Sequence, residues 1–147
     1  MSWLTDERGS AVVTIVLLPL LIAIVASTLE LGSLRVVAAR AQTAVDLAAL
    51  VAVNDQDDAE LRRTGRLRPA ADAEAVARAV LAENLDPVSA ALAATPAEIA
   101  GRAAVAVGDA PPAVRIVATI PVRTPFFGVL ISRPWIALPI RATASAR

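Results

Sequence analysis

The chain has no cysteine and no histidine, its fourteen cationic residues are all Arg, and aromatics make up only 3% of it. Each absence removes a class of chemistry. Without Cys or His there are no zinc sites of the usual ligand types, no thiol nucleophile, no disulfide staple and no imidazole acid or base. The serines have neither a histidine nor a lysine to activate them, and no glycine-rich phosphate loop is present. The formal net charge of +0 leaves no field to attract nucleic acid. Asp55, Asp57, Asp58 and Glu60 form an acidic cluster, but it lacks the glycine and spacing of a calcium loop and reads as a solvated face. No catalytic residue, metal, cofactor, small-molecule substrate or nucleic-acid partner is therefore expected, and the chain does not read as an enzyme.

What remains is aliphatic. Hydrophobic residues are 56% of the 147 positions, mostly Ala, Val, Leu and Ile, enough for an anchor and one small domain with a thin core. Residues 11–29 read AVVTIVLLPLLIAIVASTL, nineteen positions without a charge. At 1.5 Å per residue this approaches the roughly 30 Å hydrocarbon core of a bilayer, so a transmembrane helix in contact with membrane lipid is expected. Pro19 removes an amide donor and should bend it near Leu18, while Thr14, Ser27 and Thr28 can return their hydroxyls to the helix backbone. Trp3 and Arg8 precede the span, as interface anchors do. A cleavable signal is the competing reading, but Ile24-Val25-Ala26 makes a poor cleavage site. Charges flank both ends, so orientation does not follow from them.

Past the span the helical pattern continues through residues 30–54 as a stalk. Leu34, Val37, Ala38, Ala41, Val45, Ala48 and Ala52 mark one Ala-rich face, which can pack on the chain's own domain, on neighbouring subunits, or on both. Residues 55–70 run from acidic to basic and read as a polar hinge. Residues 71–147 are expected to form a small α+β domain with one or two helices, the first at about 71–84. Asp86 and Thr95 each precede a proline as N-caps do, and Thr95 with Glu98 has the spacing of a capping box. Three stretches, 104–107, 114–122 and 135–144, alternate as strands of one antiparallel sheet, with Pro121 and Pro139 suited to edges or strand ends. Between the last two lies the most hydrophobic segment outside the anchor. Its Phe126, Phe127, Leu130 and Ile131 either cap the core or form a contact patch on the outer leaflet or a partner.

Several short runs carry a resemblance. Asp6-Glu7-Arg8-Gly9-Ser10-Ala11-Val12-Val13, Leu18-Pro19-Leu20-Leu21, Leu29-Glu30-Leu31-Gly32 and Ala41-Gln42-Thr43-Ala44-Val45-Asp46-Leu47-Ala48-Ala49-Leu50 follow the order of the N-terminal segment of TadE/TadG-like proteins of the tight-adherence (Flp) pilus system. The resemblance covers about the first fifty residues. It implies a bacterial single-pass membrane protein with residues 1–10 as a cytoplasmic leader-like flank and the C-terminal domain outside. It also implies a minor pilin, pseudopilin or accessory assembly component whose partners are other pilus or pilus-assembly subunits. A membrane-anchored envelope protein with a non-pilus partner is the alternative. In TadE-like members a prepilin peptidase cuts after a Gly, which matches Gly9 and would leave Ser10 first. The fifth mature residue, a Glu in pilins, would then be Thr14, whose hydroxyl cannot cancel a neighbouring subunit's ammonium in low dielectric. Glu30, at the far boundary of the span, reads as a headgroup-level charge or as a partner for an Arg or a subunit amine.

Overall fold

The computed structural model describes residues 7–109 and 111–146, with the side chains of residues 7–12, 130 and 131 outside the description. One helix, α1 (Glu7–Asn54), is continuous through Pro19 and contains both the apolar span and the stalk. Its two halves meet different surroundings. From Val13 to Val25 the large apolar residues are half or more exposed, whereas Val37, Ala41, Ala44, Val45, Ala48, Ala49, Ala52 and Val53 are buried. Ser27 and Thr28 donate to the carbonyls of Ala23 and Ile24 at 2.7 and 2.9 Å, as their position in an apolar span requires.

The second half of α1 is the spine of the domain that follows, so stalk and domain share one core. Helix α3 (Ala73–Leu85) lays Ala73, Ala77, Leu81 and Leu85 against it. Alanines on both facing stripes let the two helices approach closely, and Leu81 and Leu85 supply the volume that alanine lacks. Within the polar segment of residues 55–70 lies a short helix. Asp57 caps α2 (Asp58–Thr64) by accepting from the amides of Ala59 and Glu60, and Gly65, at φ 70°, ends it in the left-handed conformation that glycine adopts at low cost. The amide of Asp57 donates to Arg68 at 2.9 Å and that of Ala70 to Asp55 at 2.8 Å, which closes the excursion at its base.

A 3-10 turn (Asp86–Ala91) continues directly from α3, so Asp86 makes no N-cap of its own: Leu85 occupies that position. Thr95 does cap α4 (Pro96–Arg102), through a reciprocal capping box with Glu98. Counting α2 and a further helix, α5 (Pro125–Ile131), the head holds more helices than the one or two expected.

Strands β1 (Ala104–Asp109), β2 (Pro112–Arg123) and β3 (Trp135–Ser145) form an antiparallel sheet in the order β1-β2-β3. The buried face of β2 is Val114, Ile116, Ala118, Ile120 and Val122, turned onto α1. Pro121 sits in the central strand after all, past the point where β1 stops pairing at Ala104 opposite Val117. Its carbonyl accepts from Ala93, on the side away from β3, and its missing N–H faces the same way, so no ladder bond is lost. Pro139 opposite Thr119 has the same parity and faces the outer edge of β3. Gln42 of α1 covers part of that edge by donating to the Arg141 carbonyl at 3.0 Å.

Candidate functional site: the junction of span and head

Glu30 lies one turn before the buried stripe of α1 and in phase with it, four residues ahead of Leu34 and seven ahead of Val37. Its side chain therefore points toward the head and not outward. The residue is 8% exposed. Its Oε1 accepts from the Phe126 amide at 3.1 Å and its Oε2 from the Phe127 amide at 2.7 Å. These are the second and third residues of α5, whose first is Pro125. The carboxylate thus takes the orphan donors of a helix N-terminus, where backbone dipoles favour a negative charge. Neither sequence reading of Glu30 anticipated backbone amides as its partners.

The residue that would ordinarily cap α5 does not. Thr124 makes no side-chain capping bond, and its fully buried hydroxyl has no partner among the described residues. Glu30 has taken the amides that hydroxyl would otherwise reach. At the other end Ser132 closes α5 at φ 54°, and Gly128 lies so close to Arg133 that an added Cβ would stand 2.9 Å from its carbonyl oxygen. The sharp return of the chain into β3 depends on that missing side chain.

Of the expected contact patch, Phe126 and Phe127 are half-buried and meet edge to face with ring centroids 5.9 Å apart. The side chains of Leu130 and Ile131 fall outside the described residues. The apolar groups that do project are ones not singled out in the sequence, Val129 at 81% exposure and Trp135 at 46%. Gly9 and Ser10 lie in the first turn of α1, with Thr14 exposed about one turn on.

A second stripe runs along α1. Leu29, Gly32, Val36, Ala39, Thr43, Leu47, Leu50 and Asn54 follow one another at intervals of three or four residues, and all are exposed. This is the spacing of a helix-packing seam. The Thr43 hydroxyl is returned to the Ala39 carbonyl at 3.0 Å, and a Cβ at Gly32 would meet nothing within 4 Å. The buried stripe holds the head, while this one is unpartnered in the single chain.

A helix long and apolar enough to cross a membrane, clamped by its own boundary acid to a small α+β head, defines the general class of molecule. Residues 9–55 match the family model described as putative Flp pilus-assembly TadE/G-like. The match starts in the first turn of α1 and ends one residue beyond it, so the resemblance noted in the sequence holds for this helix. No curated protein and no solved structure matches the chain.

Proposed function

We propose that the protein is a minor pilin, pseudopilin or accessory assembly component of a tight-adherence type pilus, acting by membrane anchoring and subunit packing and not by catalysis. In this reading α1 crosses the cytoplasmic membrane once, with the N-terminus inside and the head outside. Its partners are lipid and other pilus or pilus-assembly subunits.

The observation that carries the proposal is the double stripe of α1 within the segment that matches the pilus-assembly family. One stripe is spent on the chain's own core. The other is apolar except at Thr43 and Asn54, small at Gly32 and Ala39, and continuous from the span into the head, as a helix that packs beside other subunits requires. The charge expected of a filament-forming pilin is replaced by Thr14, which favours an accessory or minor role over a major subunit.

Co-expression with a prepilin peptidase, followed by mass spectrometry of the intact chain, tests it. A mature chain beginning at Ser10 supports incorporation with other pilin-like subunits. A chain that keeps Met1 assigns the protein to a permanent anchor, and failure to co-purify with any pilus-system component sinks the pilus reading.

A further inference from the structure

Beside α5 the head carries a cleft of about 860 Å³, lined among others by Ser33, Arg123, Thr124, Val129, Arg133 and Trp135. Its depth relative to the membrane follows from α1. Ser33 is four residues past Leu29, the last position of the uncharged run, which is about 6 Å of helix rise. The headgroup layer on each side of the hydrocarbon core is roughly 5–8 Å thick, so a cleft wall at this height faces lipid phosphates and not bulk water.

The charges at that level suit such a ligand. Arg123 and Arg133 are exposed, and neither has a carboxylate partner among the described residues. Glu30, the acid of α1 at this height, is turned onto the α5 amides and is not available to them. The clustered acids lie at the other end of the head, where Asp55, Asp57, Asp58 and Glu60 follow the end of α1, 24 residues or about 36 Å of rise beyond Glu30. Arg123 and Trp135 are directly paired across β2 and β3, which sets a forked cation beside an amphipathic ring on one face of the sheet. Guanidinium groups match phosphate oxygens in pairs, and Trp prefers the depth where acyl chains meet headgroups. The projecting Val129 adds an apolar tip to the same wall.

We infer that this cleft seats the headgroup of an acidic phospholipid from the leaflet into which α1 emerges, with Arg123 and Arg133 on its phosphate and Val129 and Trp135 against its upper acyl region. The inference rests on α1 spanning the membrane. Its consequence is orientational: a second attachment beside the helix holds the head at a fixed tilt on the bilayer, with α1's unpartnered stripe presented in one direction.

The test uses the full chain carrying Trp3→Phe, which leaves Trp135 as the only tryptophan. It is reconstituted into vesicles of phosphatidylcholine, or of phosphatidylcholine with phosphatidylglycerol, brominated near the carbonyl end of the acyl chains. Flotation of the vesicles reports insertion of α1 independently. The expected result is quenching of Trp135 at least twofold stronger with phosphatidylglycerol, lost in a floating Arg123→Gln/Arg133→Gln variant and partly restored by Lys at both positions. A chain that floats with Trp135 unquenched overturns the lipid seat alone, as does quenching indifferent to phosphatidylglycerol and to the two arginines. A chain that does not float overturns the anchoring reading with it.

Discussion

The Oε2 atom of Glu30 lies 2.7 Å from the backbone nitrogen of Phe127, a residue 97 positions away. A single carboxylate at the end of the apolar run therefore fixes where the β2–β3 excursion docks, and joins the span of α1 to the far end of the sheet. Replacing Glu30 by Gln keeps one acceptor but sets an amide N–H₂ against a donor. A loss of about 1–2 kcal/mol is expected for Glu30→Gln and about 2–3 kcal/mol for Glu30→Ala, because buried donors to a charged acceptor are left unmet. Thermal melting in detergent checks the order, and hydrogen exchange at Phe126 and Phe127 should rise in both variants. Unchanged protection at those two amides would contradict the clamp.

Thr124 gives the complementary experiment. Its hydroxyl is buried without a partner among the described residues while Glu30 does the capping, so Thr124→Val removes a desolvation penalty at nearly constant shape. Stability should stay level or rise in the same melting assay. If Thr124→Val destabilises as Glu30→Ala does, the hydroxyl has a role in the cap.

The α1–α3 contact is tight because its facing residues are small. Ala48 is fully buried, and Ala48→Leu is expected to cost about 1–3 kcal/mol by overpacking. Leu81→Ala should cost about 2–5 kcal/mol by opening a cavity in a core that has little bulk elsewhere. Chemical denaturation of the two variants decides. A neutral Ala48→Leu would mean that the core around Ala48 has more room than the structure gives it.

The outer stripe of α1 can be probed because the chain has no native cysteine. Leu47→Cys and Leu50→Cys should cross-link to a neighbouring subunit in membranes of pilus-expressing cells, whereas Glu83→Cys, exposed on α3 and away from the stripe, should not. Gly32→Ala should leave the isolated protein as stable or slightly more so, since the added methyl meets no atom of its own chain. A loss of assembly with unchanged melting would locate the need for glycine in a partner. Equal cross-linking at all three cysteines would remove the stripe from the argument.

The capping box of α4 carries a pH dependence. The Thr95 backbone amide, and then its hydroxyl, donate to Glu98 and hold its carboxyl below the ordinary carboxylate range. A depressed folded value means that the contribution is present above the unfolded value and fades as pH falls through the folded one. The melting difference between wild type and Glu98→Gln should therefore be seen at neutral pH and close in acid. A gap that stays constant with pH would assign the difference to geometry alone.

Much of this architecture is written locally. The uncharged run of residues 11–29, the alternation of β2 and the Thr95–Glu98 box each depend on neighbours a few positions apart, and each appears in the fold where the pattern puts it. Even Glu30 carried a signal, because it is in phase with Leu34 and Val37 and so belongs to the inward face of α1. Its partners were illegible, since the amides of Phe126 and Phe127 have no side-chain signature and come within reach only when the sheet folds back along α1. The segment after Asn54 shows the same limit. Its charges describe a solvated surface correctly, but the closing bonds between Asp57 and Arg68 and between Ala70 and Asp55 are backbone contacts that composition does not encode. By itself the sequence determined an apolar helix, an Ala-rich stripe and a three-stranded sheet, because periodic burial is a property of short stretches. Tertiary structure alone decided that one stripe of α1 is consumed by the head while the other stays open, and that the boundary acid serves α5, because both depend on which distant surfaces the chain brings together.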